Sequence, residues 1–327
     1  MLVAPNAQMC QLVGDVVIKR AMKATYFLAL YFVLSAAASA QETRTLEHQG
    51  VSRSYLIHNA EVAKAGPKPT VIALHGFREP GQPITAEGQL DRIAWSKLDE
   101  VASREGFVTV YPGAINGQWN YIGLANPIRA GADIADDVSF ISAVIERVLS
   151  EKIADERRIY IAGFSRGAFM TFEMLCRAPN YFAAAVAMVG SMLEAQRDAC
   201  KPSRVMPIAV VAGTEDMNVP YDGWVLPNGR LMSIPELLEF WRRQHGCADQ
   251  DARLLPQRDP SGPRIRLVTW KGCRKPESVK LYRVEGGGHQ APSYEPSPPQ
   301  WIQKYGRRSP DMESAAELWG FVSKFTK

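Results

Sequence analysis

Residues 157–170 read RRIYIAGFSRGAFM, and this stretch decides the fold. Its centre, Gly163-Phe164-Ser165-Arg166-Gly167, is a G-x-S-x-G pattern. The pattern is short and gains its meaning from what flanks it. A β-branched, apolar run (Ile159, Tyr160, Ile161, Ala162) comes before, and a helix-like run (Ala168, Phe169, Met170, Phe172, Leu175) follows. Strand, sharp turn and helix in that order predict a nucleophile elbow at Ser165. Gly163 and Gly167 would let strand and helix approach where a Cβ would clash. The blander reading of the same residues is a glycine-rich turn in which Ser165 caps a helix N-terminus.

Working outward, buried strands alternate with helical segments. Thr70–Leu74 and Phe107–Tyr111 are continuous apolar runs, as are Val205–Ala212 and Val279–Val284. Each suits a strand covered on both faces. Residues 90–105, 234–245 and 311–325 read as helices, and Val138, Ile141, Val144, Ile145 and Val148 recur at helical spacing within 136–150. Thr43–His58 alternates like an edge strand or hairpin, and Gly66–Pro69 reads as a loop. The alternation predicts an α/β fold, a mostly parallel sheet with helices on both faces.

The chain has 327 residues, 46% hydrophobic, and a formal charge of +4. Its charges are mixed, with no basic block interleaved with aromatics, so nucleic acid is not an expected partner. Lys19, Arg20 and Lys23 precede the apolar run Tyr26–Leu34, and Ala38-Ser39-Ala40 forms an A-x-A site. These features predict a secretory signal peptide over residues 1–40, cut before Gln41, with Met22 as a candidate true start. The run is shorter than the ~20 apolar residues of a membrane span, so no anchor is expected after cleavage. The destination is secreted or periplasmic, and residues 41–327 form one catalytic domain. Cleavage removes Cys10 and leaves Cys176, Cys200, Cys247 and Cys273. An even count in an exported chain suggests two disulfides. Of three pairings, the short loops Cys176–Cys200 and Cys247–Cys273 are favoured. No C-x-x-C spacing suggests zinc, and no metal or organic cofactor is expected.

A serine hydroxyl needs a base to take its proton. Only His245 and His289 follow Ser165. His289 comes after a strand, through Glu285-Gly286-Gly287-Gly288, and is the expected base. His245 ends a helix, where the dipole favours a cation, and reads as structural. The acid should follow the run ending at Ala212. Asp216 is expected there, with Glu215 and then Asp222 as alternatives. An Asx-turn is the structural reading of Asp216. The backbone N–H of Arg166 and of Phe77, with Gly76 as alternative, are the expected oxyanion donors. His75 reads as a neutral histidine that orients their loop. Trp119, Tyr121 and Trp224 are candidate substrate-binding residues, and Tyr221 and Trp301 share their loop setting.

VIALHGF (71–77), VTVYPG (108–113), ADDVSFISAVIERV (135–148), RRIYIAGFSRGA (157–168), GTEDMNVPYDG (213–223), SIPELLEFWRRQHGC (233–247) and LYRVEGGGHQAP (281–292) occur in one order. In this the chain resembles the secreted polyhydroxybutyrate depolymerase and feruloyl/acetyl-xylan esterase group of α/β-hydrolases, over residues 45–325. The resemblance implies an α/β-hydrolase fold, a Ser165-Asp216-His289 triad and the two short disulfides. It implies a serine esterase of polyhydroxybutyrate depolymerase type working through an acyl-enzyme, with a feruloyl or acetyl-xylan esterase acting on plant polysaccharide esters as the alternative. A serine peptidase and a non-catalytic binding module are the rival readings of the same scaffold. The chain departs from the group at Arg166, where Asn or a small residue is frequent. It also has Ala212 for a histidine, and Gln290-Ala291-Pro292 where a tryptophan often stands.

Overall fold

The computed structural model describes residues 41–78, 92–121, 136–226 and 229–327. The expected signal peptide, residues 1–40 with the alternative start at Met22, lies outside the described residues. The first elements are β1 (Glu42–His48) and β2 (Val51–His58), an antiparallel hairpin. Its turn, Gln49-Gly50, takes φ of 52° and 77°, the positive values that a tight two-residue turn requires. There follow β3 (Lys68–Leu74), α1 (Arg92–Glu105), β4 (Val108–Pro112), α2 (Asp137–Ser150), β5 (Ala154–Phe164) and α3 (Arg166–Arg177). The central part continues with β6 (Ala184–Met188), α4 (Glu194–Ala199), β7 (Ile208–Gly213), β8 (Trp224–Leu226), β9 (Gly229–Leu231) and α5 (Ile234–His245). The chain ends with β10 (Asp249–Leu254), β11 (Arg264–Lys271), β12 (Val279–Glu285), α6 (Pro299–Tyr305) and α7 (Ser314–Val322).

Among the described residues the main sheet has ten strands in the order β1-β2-β4-β3-β5-β6-β7-β12-β11-β10. The six from β4 to β12 run parallel. Both edges are antiparallel additions. The expected mostly parallel sheet is therefore present, with helices on both faces. Side chains alternate along a strand, so each central strand feeds two cores. Ile72, Leu74, Ile159, Ile161, Ile208 and Val210 pack against α2, α3 and α5. Val71, Ala73, Tyr160, Ala162, Ala209 and Val211 pack against α1 and α7 on the other face. Covering on both faces is why these strands read as unbroken apolar runs.

Several elements differ from expectation. β3 begins at Lys68, so the expected 66–69 loop is shorter, and β4 takes in Pro112. α7 is shorter than the expected 311–325 helix. β6 was not anticipated, because Ala184-Ala185-Val186-Ala187-Met188 offers small residues with little strand preference. β10 and β11 were also unread. Every residue of β10 is exposed, so it lacks the apolar alternation that marks a strand. Local chemistry explains the ends of α5. Ser233 Oγ accepts from Glu236 N while Glu236 returns a bond to Ser233 N, and Gly246 closes the helix at φ 64°.

The structure joins Cys176 to Cys200 and Cys247 to Cys273. The first bridge ties the end of α3 to the residue after α4, and the second ties a residue just past α5 to one just past β11. The sequence separations are 24 and 26 residues. Loops of that size restrict the unfolded chain by roughly 3 kcal/mol each in the chain-entropy model. Reduction with dithiothreitol is thus expected to lower Tm by several degrees per bridge. An unchanged melting curve, with all four thiols titrating as free, would remove the bridges from the account of stability.

Candidate active site

β5 ends at Phe164, and Ser165 follows with φ 51° and ψ −117°. A serine rarely adopts this conformation, so the surrounding packing must hold it. The glycines permit that packing. A Cβ on Gly163 would run into the Gly167 carbonyl, and one on Gly167 into the Leu74 carbonyl. The Ser165 side chain makes no capping bond to α3, so the helix-cap reading does not describe it. Its Oγ lies 2.8 Å from His289 Nε2.

His289 reaches Ser165 from the loop after β12. Its backbone N–H bonds to the Tyr305 carbonyl at 2.6 Å, and Gly288 N–H bonds to the Arg307 carbonyl. A Cβ on Gly288 would collide with Tyr305 and Gly306, so a glycine there lets the loop close against the chain after α6. His289 Nδ1–H donates to Asp216 Oδ2 at 2.7 Å. That bond leaves Nε2 unprotonated and facing the serine hydroxyl.

Asp216 sits in the turn after β7. Its side chain is only 1% exposed. Oδ1 accepts from the backbone N–H of Asn218 and Val219, both at 2.8 Å. The Asx-turn and the bond to His289 therefore coexist, one on each oxygen. Glu215 and Asp222 are exposed. Glu215 N–H and Thr214 N–H bond to the Gly287 and Val284 carbonyls, stitching the acid loop to the histidine loop.

The loop after β3 stands against the elbow. A Cβ on Gly76 would lie 3.5 Å from Ser165 Cβ. The Arg166 guanidinium lies 4.8 Å from the centre of the Phe77 ring, so Phe77 and Arg166, whose amides are the expected oxyanion donors, are neighbours. His75 holds this loop. Ala114 N–H donates to its Nε2 at 3.1 Å, so Nδ1 carries the proton and donates to the Gly76 carbonyl at 2.6 Å. Burial and the nearby Arg78 charge push its pKa down to about 3, so the ring is neutral.

Trp119 differs from its expected place at a substrate surface. It is 1% exposed, its Nε1–H donates to the His75 carbonyl at 2.8 Å, and its ring lies 4.7 Å from the imidazole. It props the loop and offers no surface to a substrate. Tyr121 is half-buried against Phe169 of α3, 5.0 Å between rings. Trp224 is 54% exposed on β8, opposite Leu231, which packs on Phe169 and Val219. Tyr221 and Trp301 are half-buried. Two supports of the site have no signature in the sequence. Gln118 Oε1 accepts from Arg166 at 2.7 Å. The buried Arg53–Asp137 pair, 2.5 Å apart, anchors Asn120 N–H through Asp137 Oδ2. Neither carries a local signal, because each acts between segments far apart in the chain.

His245 takes the structural role expected of it, but as a neutral ring and not as a cation favoured by the α5 dipole. It is buried, Nε2 bonds to the Met206 carbonyl at 2.9 Å, and burial lowers its pKa to about 4. Desolvation of a charged ring outweighs the dipole. This has a measurable consequence. Below the unfolded value of 6.5 the unfolded chain takes up protons that His75 and His245 refuse in the fold. Stability is then present above pH 6.5 and is lost as pH falls toward 4, by on the order of 1 kcal/mol per pH unit for each ring. Glu173 and Glu313, raised by burial, oppose this in part just above 4.5. Urea midpoints at pH 7, 5.5 and 4.5 should show the decline, and His245→Gln should flatten it. An unaltered slope in that variant would discard the explanation.

The phospholipase/carboxylesterase family matches residues 58–233, just over half of the chain. A bifunctional acetylxylan esterase/xylanase of Neocallimastix patriciarum is 26% identical over 282 residues, 85% of this chain and 34% of that one. Feruloyl esterase B of Piromyces equi is 27% identical over 201 residues, 59% of this chain and 36% of that one. The chain thus spans about a third of the length of these two relatives. Among solved structures, a thermostable esterase superposes with TM-score 0.54 at 17% identity, covering 88% of this chain and 63% of that one. An acetyl xylan esterase from Aspergillus awamori does so with TM-score 0.52 at 15% identity, covering 76% and 94%. At these identities the superpositions speak for the fold.

Proposed function

Since the chain belongs to the phospholipase/carboxylesterase family of α/β-hydrolases, we propose that it is an exported serine esterase using Ser165, His289 and Asp216. The observation that carries this reading is the hydrogen-bonded row Ser165 Oγ–His289 Nε2, His289 Nδ1–Asp216 Oδ2. Ser165 Oγ attacks the ester carbonyl as His289 Nε2 accepts its proton. The negative charge that develops on the carbonyl oxygen is met by the N–H groups of Arg166 and Phe77. His289 then protonates the leaving alcohol, which departs and leaves an acyl-Ser165. Water, deprotonated by His289, releases the acid and restores the serine. Asp216 keeps the imidazole in the productive tautomer and stabilises its cation.

Export is part of the proposal. A leader over residues 1–40 would be removed, delivering residues 41–327 to an oxidising, secreted or periplasmic setting. The two disulfides support that setting. Among the described residues no helix is long and apolar enough to cross a membrane. For the substrate, the named relatives favour acetylated or feruloylated plant polysaccharide esters. Oligomers of 3-hydroxybutyrate are the second reading, favoured by the ordered motifs shared with polyhydroxybutyrate depolymerases.

A fluorophosphonate probe is expected to label Ser165, which an unactivated serine would not permit. A panel of acetylated xylan, methyl ferulate, 3-hydroxybutyrate oligomers and short p-nitrophenyl esters, run beside amide analogues, then assigns the bond and substrate. Absence of labelling, or cleavage of amides alone, would refute the esterase reading.

A further inference from the structure

The residue after the nucleophile is where the chain departs most visibly from the group it resembles. Arg166 opens α3, and its Cα is about 3.8 Å from that of Ser165. The side chain does not turn away into solvent. Its Nη1 donates to Gln118 Oε1 at 2.7 Å, and its guanidinium carbon stands 4.8 Å from the Phe77 ring centre. Two separate segments, the loop after β3 and the loop after β4, therefore hold it beside the elbow.

A guanidinium has five N–H donors in a planar fork. The bond to Gln118 is the one it makes among the described residues, and no carboxylate pairs with it there. Arg53, also near the site, is by contrast spent on Asp137. Arg166 is half-buried, so its charge is not fully hydrated, and no described residue neutralises it. The fixed tether and the aromatic face orient the fork in advance, which lowers the cost of binding a planar anion.

We propose that the Arg166 side chain is a carboxylate-binding group that makes this site selective for esters carrying a free acid, such as short oligomers of hydroxy acids, and so favours the second of the two substrate readings above over the first. The proposal rests on Ser165 being the nucleophile. An acetyl or feruloyl ester on a neutral sugar gives the guanidinium no anion to meet. An oligomer of a hydroxy acid ends in a carboxylate a few atoms from its last ester bond. The fork can take both oxygens of that carboxylate in parallel bonds.

The test uses matched pairs that differ only in the end group. 3-Acetoxybutanoate is compared with 3-acetoxybutanamide for an acid on the alcohol side. Mono-4-nitrophenyl adipate is compared with its carboxamide for an acid on the acyl side. The expected result is a kcat/KM ratio, acid over amide, of ~10 or more in at least one pair, as befits a charge-assisted contact. The ratio should arise mainly in KM and shrink as salt screens the charge. Arg166→Gln should bring it near one, and Arg166→Lys should keep part of it. Circular dichroism and Tm check that the variants fold.

Equal rates for acid and amide in the unaltered enzyme, or a ratio that survives in Arg166→Gln, would overturn the proposal while leaving the esterase reading intact. If none of the esters is cleaved, the esterase reading fails separately. Calorimetric binding of each pair to Ser165→Ala, with and without Arg166→Gln, then decides the matter. A preference for the acid that Arg166→Gln abolishes supports the role of Arg166, and equal binding refutes it.

Discussion

Ser165→Ala is expected to lower kcat for ester hydrolysis by on the order of 10⁴ to 10⁶, the usual scale for removing an activated serine. The fold should persist. Ser165 makes no capping bond, and its backbone bonds to the Met188 carbonyl and from Ala168 and Phe169 do not involve the hydroxyl. Alanine also suffers at φ 51°, but it is no worse placed there than serine. Residual turnover near the original rate, in a variant with an unaltered melting curve, would show that the nucleophile lies elsewhere. Loss of labelling by the fluorophosphonate in the same variant separates a lost nucleophile from a lost binding site.

Asp216→Asn should cost nearly as much, on the order of 10⁴ in kcat. The asparagine can keep the Asx-turn, because one oxygen can still accept from Asn218 and Val219 N–H. The group left facing His289 is then an NH₂. It cannot accept from Nδ1–H, so the imidazole must turn its proton to Nε2 and can no longer take one from Ser165. Glu215→Gln, at an exposed side chain one residue earlier, should change the rate by no more than a few-fold. If Glu215→Gln proved the more damaging change, the acid role would pass to Glu215.

Local patterns in the chain sufficed for five of the six parallel strands. Ile159–Ala162 and Thr70–Leu74 are apolar on both faces because helices cover both faces, and that requirement is written into consecutive residues. The elbow was legible for a similar reason. Gly163 and Gly167 flank Ser165 at the two places where a Cβ would meet backbone, and such constraints act within a few residues. The choice of His289 followed from one histidine sitting just past a late strand end, whereas Glu215 and Asp216 both follow β7 and the fold sets Asp216 against His289. One edge, β10 with β11, and one central strand, β6, were not legible. β10 is exposed throughout, and β6 is mostly alanine; neither identity nor period marks them, and long-range pairing alone makes them strands.

The fate of individual side chains was a tertiary matter. Trp119 and Trp224 both sit in segments that read as loops. One is sealed against His75 at 1% exposure and the other is 54% exposed. Burial depends on what other segments bring across, and that information lies far away in the chain. His245 shows the same division. Its place at the end of α5 predicts a cation, yet the Met206 carbonyl and the surrounding core hold it neutral. A helix end acts over one turn, whereas desolvation is set by every element packed around the ring. Gln118 meets Arg166 across 48 residues of chain, a contact that no local period could encode and that only the closing of the β3 and β4 loops over the elbow creates.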